Sequence, residues 1–128
     1  MSMRKSWYRG TSPKENPLRK HWTYWTPTRH YAENIAYRKN GTLFRMQIAE
    51  IPDPKQVFYG GDVGVLRKFH LMRKYRKLIR QNKDRQAENL AHKELRKRGY
   101  RARVIDKDQI IIYDPKLINI KSKRRIYR

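Results

Sequence analysis

Three features of the chain predict a single α+β domain with mixed or antiparallel strands and two to three helices. Residues 42–51 alternate, with Phe44, Met46 and Ile48 on one side and Arg45 and Gln47 on the other, the period-two signature of a half-buried strand. Two stretches, Thr28 to Gly41 and Leu66 to about Arg98, change to a helical period. Late in the chain, Val104-Ile105 and Gln109 to Tyr113 read as strands paired through Asp106-Lys107-Asp108. With 128 residues, 38% of them hydrophobic, there is material for one core, and no repeat or linker divides it.

Each element has a local reason. Ser6 to Arg9 is a short aromatic strand that breaks at Gly10 and Pro13, and Lys14 to Lys20 is polar loop. His21 to Thr26 is rich in β-branched and aromatic residues and stops at Pro27, which predicts a second extended segment. Thr28 is placed to cap a helix whose Tyr31, Ala32, Ile35 and Ala36 share a face and whose stop is Gly41. Pro52 and Pro54 end the alternating strand, and Val57 to Tyr59 is a short strand before Gly60-Gly61. In the long helical region Leu71, Tyr75, Leu78 and Ile79 mark one apolar face. A weak break at Asn82 to Asp84 precedes a helix capped by Asp84, with Ala87, Leu90, Ala91 and Leu95 inward and Gly99 as its stop. From about residue 116 the chain reads as a basic C-terminal tail.

The charge narrows the partner. Against 33 Lys and Arg stand 11 Asp and Glu, a net +22 with an isoelectric point near 10.7. So much like charge in a small globule repels itself unless a polyanion neutralises it, and nucleic acid does so with release of condensed cations. Disordered basic tails are poor in aromatics, whereas 12% of this chain is aromatic, so it is expected to fold. There is no Cys, hence neither disulfide nor thiolate metal site, and the four His lack ligand spacing, so no metal is expected. No apolar run approaches a membrane span or a signal-peptide core, which predicts an intracellular, cytoplasmic protein that does not enter membranes.

The basic residues fall into three patches. Arg67, Lys68, Arg73, Lys74, Arg76, Lys77 and Arg80 lie on the long helical region, where three- and four-residue spacing makes a stripe able to track phosphates. No acidic residue lies between Arg67 and Lys83 to pair with them along the helix. Arg96, Lys97, Arg98, Arg101 and Arg103 form a second patch, and Lys121, Lys123, Arg124 and Arg125 a third. Spread over several elements, they predict an enveloping contact with an RNA or DNA backbone, or with a nucleoprotein complex. No zinc-finger spacing, RNA-recognition octamer or helix-turn-helix pattern accompanies them.

The order Tyr8-Arg9-Gly10-Thr11-Ser12-Pro13, Tyr24-Trp25-Thr26-Pro27 leading into Tyr31-Ala32, and Gly99-Tyr100 followed by Gln109 to Pro115 resembles the ADP-ribosyltransferase-fold family, especially its small phage and bacterial toxin-like members. The resemblance runs from about Trp7 to Ile120. It implies an NAD-binding cleft, with Arg9, Gly10, Thr11, Tyr24 and Thr26 as cofactor contacts. The family's catalytic glutamate falls at Gln109, a neutral amide that holds a ribose hydroxyl but cannot stabilise developing positive charge as a carboxylate does. Asp108 is adjacent, but on a continuous strand it would face away from Gln109. Three functions are therefore expected: a nucleic-acid-binding protein on this fold without turnover, an active NAD-dependent mono-ADP-ribosyltransferase acting on nucleic acid or a bound protein, or a structural component of a ribonucleoprotein.

Overall fold

The computed structural model describes residues 3–106 and 108–128. In chain order the strands and helices are β1 (Trp7–Thr11), β2 (Thr23–Trp25), α1 (Arg29–Arg38), β3 (Thr42–Ile48), β4 (Val57–Tyr59), α2 (Asp62–Lys68), α3 (Met72–Arg80), α4 (Asp84–Lys97), β5 (Ala102–Asp106), β6 (Gln109–Ile112) and β7 (Ile118–Arg125). One antiparallel sheet has the order β1-β3-β7, and a mixed sheet has the order β2-β6-β5-β4, parallel only between β4 and β5.

The alternation along the strands decides how the layers stack. Trp7, Phe44, Met46 and Ile118 of the first sheet meet Trp25, Ile110, Ile112, Val57 and Val104 of the second, forming the main core between the sheets. On the outer face of the first sheet Leu43 packs against Ala32 and Ala36 of α1. On the outer face of the second, Phe58, Ile111 and Tyr113 pack against Val65 of α2 and Ala91 and Leu95 of α4. The layers therefore run α1, sheet, sheet, α2 with α4. Helix α3 lies outside this stack, touching α4 and α2 and burying none of its residues.

Gly10 makes the α1 contact possible. A Cβ there would stand 2.1 Å from the Ala32 carbonyl oxygen and 2.7 Å from the Ala36 nitrogen, so any side chain would push the helix off the strand. Gly99 ends α4 with φ of 85°, the left-handed turn that glycine adopts without strain.

Most of the expected strands form close to their predicted bounds, and α1 ends before Gly41 as anticipated. Three expectations are corrected. Among the described residues four α-helices form, not two to three, because the long helical region divides at His70 and again at Asn82, both with φ of 58°. Its first piece starts at Asp62, where Gly61 and Gly64 dilute the helical period. Asp84 is the first residue of α4; Lys83 holds the capping position, without a side-chain cap. The segment from residue 116 is also no free tail. Ile118 to Arg125 pairs along β3, because Ile118 and Ile120 reach the core, while Lys121 to Arg125 are exposed on both faces of this edge strand.

Candidate functional site

The two sheets touch at one edge. Tyr8 and Thr26 exchange backbone hydrogen bonds, Tyr8 N–H to Thr26 at 2.7 Å and Thr26 N–H to Tyr8 at 2.9 Å. Backbone groups alternate along a strand, so the N–H and C=O of Gly10, two residues on, also point away from β3. Beyond this bridge the edges part to leave a cleft of about 150 Å³. Its walls include Arg9 and Gly10 of β1, Tyr24 and Thr26, Tyr31 of α1 and Gln109 of β6. Residues separated by a hundred positions thus converge where sheet edges and a helix meet.

Arg9 is already engaged. Its Nε and Nη2 donate to the Glu15 carboxylate at 2.7 and 2.9 Å, and its Nη1 donates to the Tyr24 carbonyl at 3.1 Å. Burial works to raise the Glu15 pKa, but the Arg9 hydrogen bond and charge outweigh it and hold the carboxyl below its ordinary value. The arginine therefore braces β1, the following loop and β2, and shapes the cleft wall.

Two site expectations are corrected. Thr11 is fully buried and donates to the Ser12 and Thr42 carbonyls at the far end of β1, outside the cleft lining. Asp108 does not face away from Gln109. It occupies the β5–β6 turn, where strict alternation lapses, and with Asp106 and Gln109 it lines a depression next to the cleft. Its N–H donates to Asp106 Oδ1 at 2.7 Å. Two carboxylates accordingly flank the amide.

Behind Tyr24 lies a polar chain that sequence patterning did not reveal. His92 of α4 is buried, its Nε2 hydrogen-bonded to the Tyr24 hydroxyl and its Nδ1 to the Tyr113 hydroxyl at 2.8 Å. Trp22 stacks on its ring with centroids 4.8 Å apart. Burial first, then the nearby Arg103 charge, lowers the His92 pKa to about 4. A neutral imidazole has one N–H and one lone pair, so one tyrosine accepts from it and the other donates to it. Burial likewise raises Tyr113 to about 12, and raises Tyr24. Only a helical-face assignment of His92 would have revealed this, and the surrounding Ala and Leu residues masked it.

The basic surface divides into free and committed cations. Helix α3 carries Arg73, Lys74, Arg76, Lys77 and Arg80 on nine residues, all exposed, and among the described residues none forms an ion pair. Arg67, Arg96 and Lys97 are exposed, and the Lys68 ammonium sits over the Phe58 and Phe69 rings. On β7, Lys121, Lys123, Arg124 and Arg125 are exposed along a sheet edge. The second patch is corrected. Arg103 is fully buried, donating to Asp62 and to the Gly60 carbonyl, with its Nη1 enclosed and lacking a well-placed acceptor. Arg101 is clamped between Glu50 and Asp114 at 2.8 and 2.7 Å, and Arg98 pairs with Glu94 at 2.8 Å over the Phe69 ring. Alternation on β5 sends Arg103 inward, and the two other arginines find acids from distant segments or one helical turn back.

Among the described residues no cluster of His, Cys, Asp and Glu could hold a metal ion, and no helix is long and apolar enough to cross a membrane. Comparison of the chain with protein-family models, with curated proteins and with solved structures finds no match.

Proposed function

We propose that this chain binds nucleic acid through the phosphate backbone, with α3 as the principal contact and β7 as a second basic edge. One observation carries the reading: α3 presents five cations, no acid and, among the described residues, no ion pair, on a helix that contributes no buried residue to the core. Such a helix gains little from the fold and costs it repulsion, and a polyanion reverses the sign of that cost. The test is titration of labelled RNA and DNA at several salt concentrations. Affinity falls steeply with salt, and replacing Arg73, Lys74, Lys77 and Arg80 together with Gln makes the log–log slope shallower by about 3. A flat salt response, or an unchanged slope in the variant, overturns the reading.

The cleft favours a second reading, an ADP-ribosyltransferase-like NAD site. Its support is the convergence of Gly10, Tyr24, Thr26 and Gln109 on one cleft, with the Gly10 peptide groups turned off the sheet. Those residues fit a flat carboxamide ring: Gly10 would pair with the amide, Tyr24 would wall the ring, and Gln109 would hold a ribose hydroxyl. NAD, when bound, supplies an activated bond between ribose and nicotinamide. The neutral Gln109 fits binding better than turnover, since it brings no charge to a cationic transition state. Calorimetry with NAD tests the binding, and transfer of label from NAD to a cell extract tests turnover. Arg9→Ala, which unties β1 from β2, abolishes either signal. No NAD binding to the unaltered chain overturns this second reading and leaves the first intact.

A further inference from the structure

A row of neighbouring hollows runs between the cleft and the basic helix. Tyr24 and Gln109 line both the cleft and an adjoining depression that also includes Asp62 and Val63. Asp62 and Val63 in turn line a second depression with Glu88 and Tyr75. Tyr75 opens onto a third, shared with Arg76, Ile79 and Arg80 of α3. Consecutive hollows share lining residues, so they lie side by side in a row from the free cations of α3 to Gln109, and a strand laid along that row would follow a groove.

Its chemistry is sorted. The α3 end is lined by Arg76 and Arg80 together with Tyr75 and Ile79. The middle has two carboxylates, Asp62 and Glu88, and exposed apolar surface at Val63. The far end has the Tyr24 ring, 38% exposed. Phosphates are repelled by the middle of such a groove. Nucleobases are not, because their ring and exocyclic N–H groups donate to carboxylates while their faces stack on tyrosines. Asp62 already pairs with the buried Arg103 and is still 60% exposed, so its carboxylate also faces the groove.

We propose that the occupant is single-stranded nucleic acid, its backbone held along α3 and its bases turned inward past Tyr75, Val63 and Asp62, placing one nucleotide beside Tyr24 and Gln109. This rests on the nucleic-acid reading above and adds strand state and path to it. A duplex presents its phosphates outward and keeps its bases stacked on each other, so it can use α3 but not the groove.

The experiment compares the full chain with Val63→Glu, which puts charge and bulk at mid-groove while leaving every α3 cation in place. Val63 is 53% exposed, so the fold tolerates the change; thermal melting verifies this, and Val63→Thr serves as a second, milder variant. The probes are a labelled mixed-sequence single strand of about ten nucleotides, within the usual range of site sizes, and the same sequence as duplex. The single strand binds the unaltered chain at least tenfold tighter than the duplex. Val63→Glu removes most of that preference, leaves duplex affinity within about twofold, and Val63→Thr retains the preference. Ultraviolet crosslinking of the single strand gives adducts at Tyr75 and Tyr24. Equal affinity for the two strand states, an unchanged preference in Val63→Glu, or crosslinks on α3 and β7 with none at Tyr24 overturns the groove while sparing the backbone reading. Binding of neither probe at low salt overturns the backbone reading itself.

Discussion

At the residue scale, the link from Tyr24 through His92 to Tyr113 ties a cleft wall to the interior, and its pH dependence follows from its geometry. The folded chain holds His92 neutral down to about pH 4, whereas an unfolded chain protonates it near its ordinary 6.5. Between those values the unfolded state binds more protons, so stability is complete above pH 6.5 and declines as pH falls toward 4. The full loss amounts to about 3 kcal/mol. Glu15 and Asp114, held below their ordinary values of 4.5 and 3.8, add stability that is present across most of that range and is lost as pH falls through and below those values. Melting temperature followed from pH 7 to 5 is therefore expected to drop in the natural chain. In His92→Gln it starts lower and varies less, and an equal slope in both would remove His92 as the cause. Gly10→Ala is the second test at this scale. With 2.1 Å available, the overpacked α1 contact costs about 3 kcal/mol or more, read as a lowered denaturation midpoint.

Elements differ in what holds them. Helices α1, α2 and α4 each press alanine, valine or leucine onto a sheet, while α3 rests on its neighbours with Tyr75 and Leu78 only half-buried. The cations of α3 therefore do not stabilise the free protein. Replacing Arg73, Lys74, Lys77 and Arg80 with Gln is expected to raise the melting temperature at low ionic strength. The gain should shrink as salt shortens the Debye length to about 3 Å near 1 M. A lower melting temperature at every salt concentration would mean that these side chains support the fold. Strand β7 shows the complementary case, since its two isoleucines hold it in the sheet and its cations ride along.

For the whole molecule, a net charge of +22 makes stability depend on counterions. Melting temperature should rise between 50 and 500 mM NaCl, values chosen to move the Debye length from roughly 14 to 4 Å. It should rise further with a bound oligonucleotide at the same ionic strength, by mass action on the folded state alone. Sulfate and chloride compared at equal ionic strength separate general screening from site binding. Absence of any salt effect would show the charges to be dispersed enough not to interact.

The sequence by itself determined the α+β class, the alternation of β3, the late hairpin of β5 and β6 and the glycine stop of α4, because each is written in neighbouring residues. It also determined that cations without local acidic partners gather on α3. Only the tertiary structure decided which cations are free. Arg101 meets Glu50 from fifty-one residues away and Arg103 meets Asp62 from forty-one, distances over which no local pattern carries information. The break at Asn82 was weak in sequence and the one at His70 was missed, because both residues enter the left-handed region without a glycine to announce it. The cleft was legible only as an order of short motifs; bringing Arg9, Thr26 and Gln109 together required two sheets meeting at a single pair of backbone hydrogen bonds. Charge is a property of composition, but accessibility of charge is a property of packing, and so the cations of α3 and β7 are exposed while Arg103 of β5 is buried.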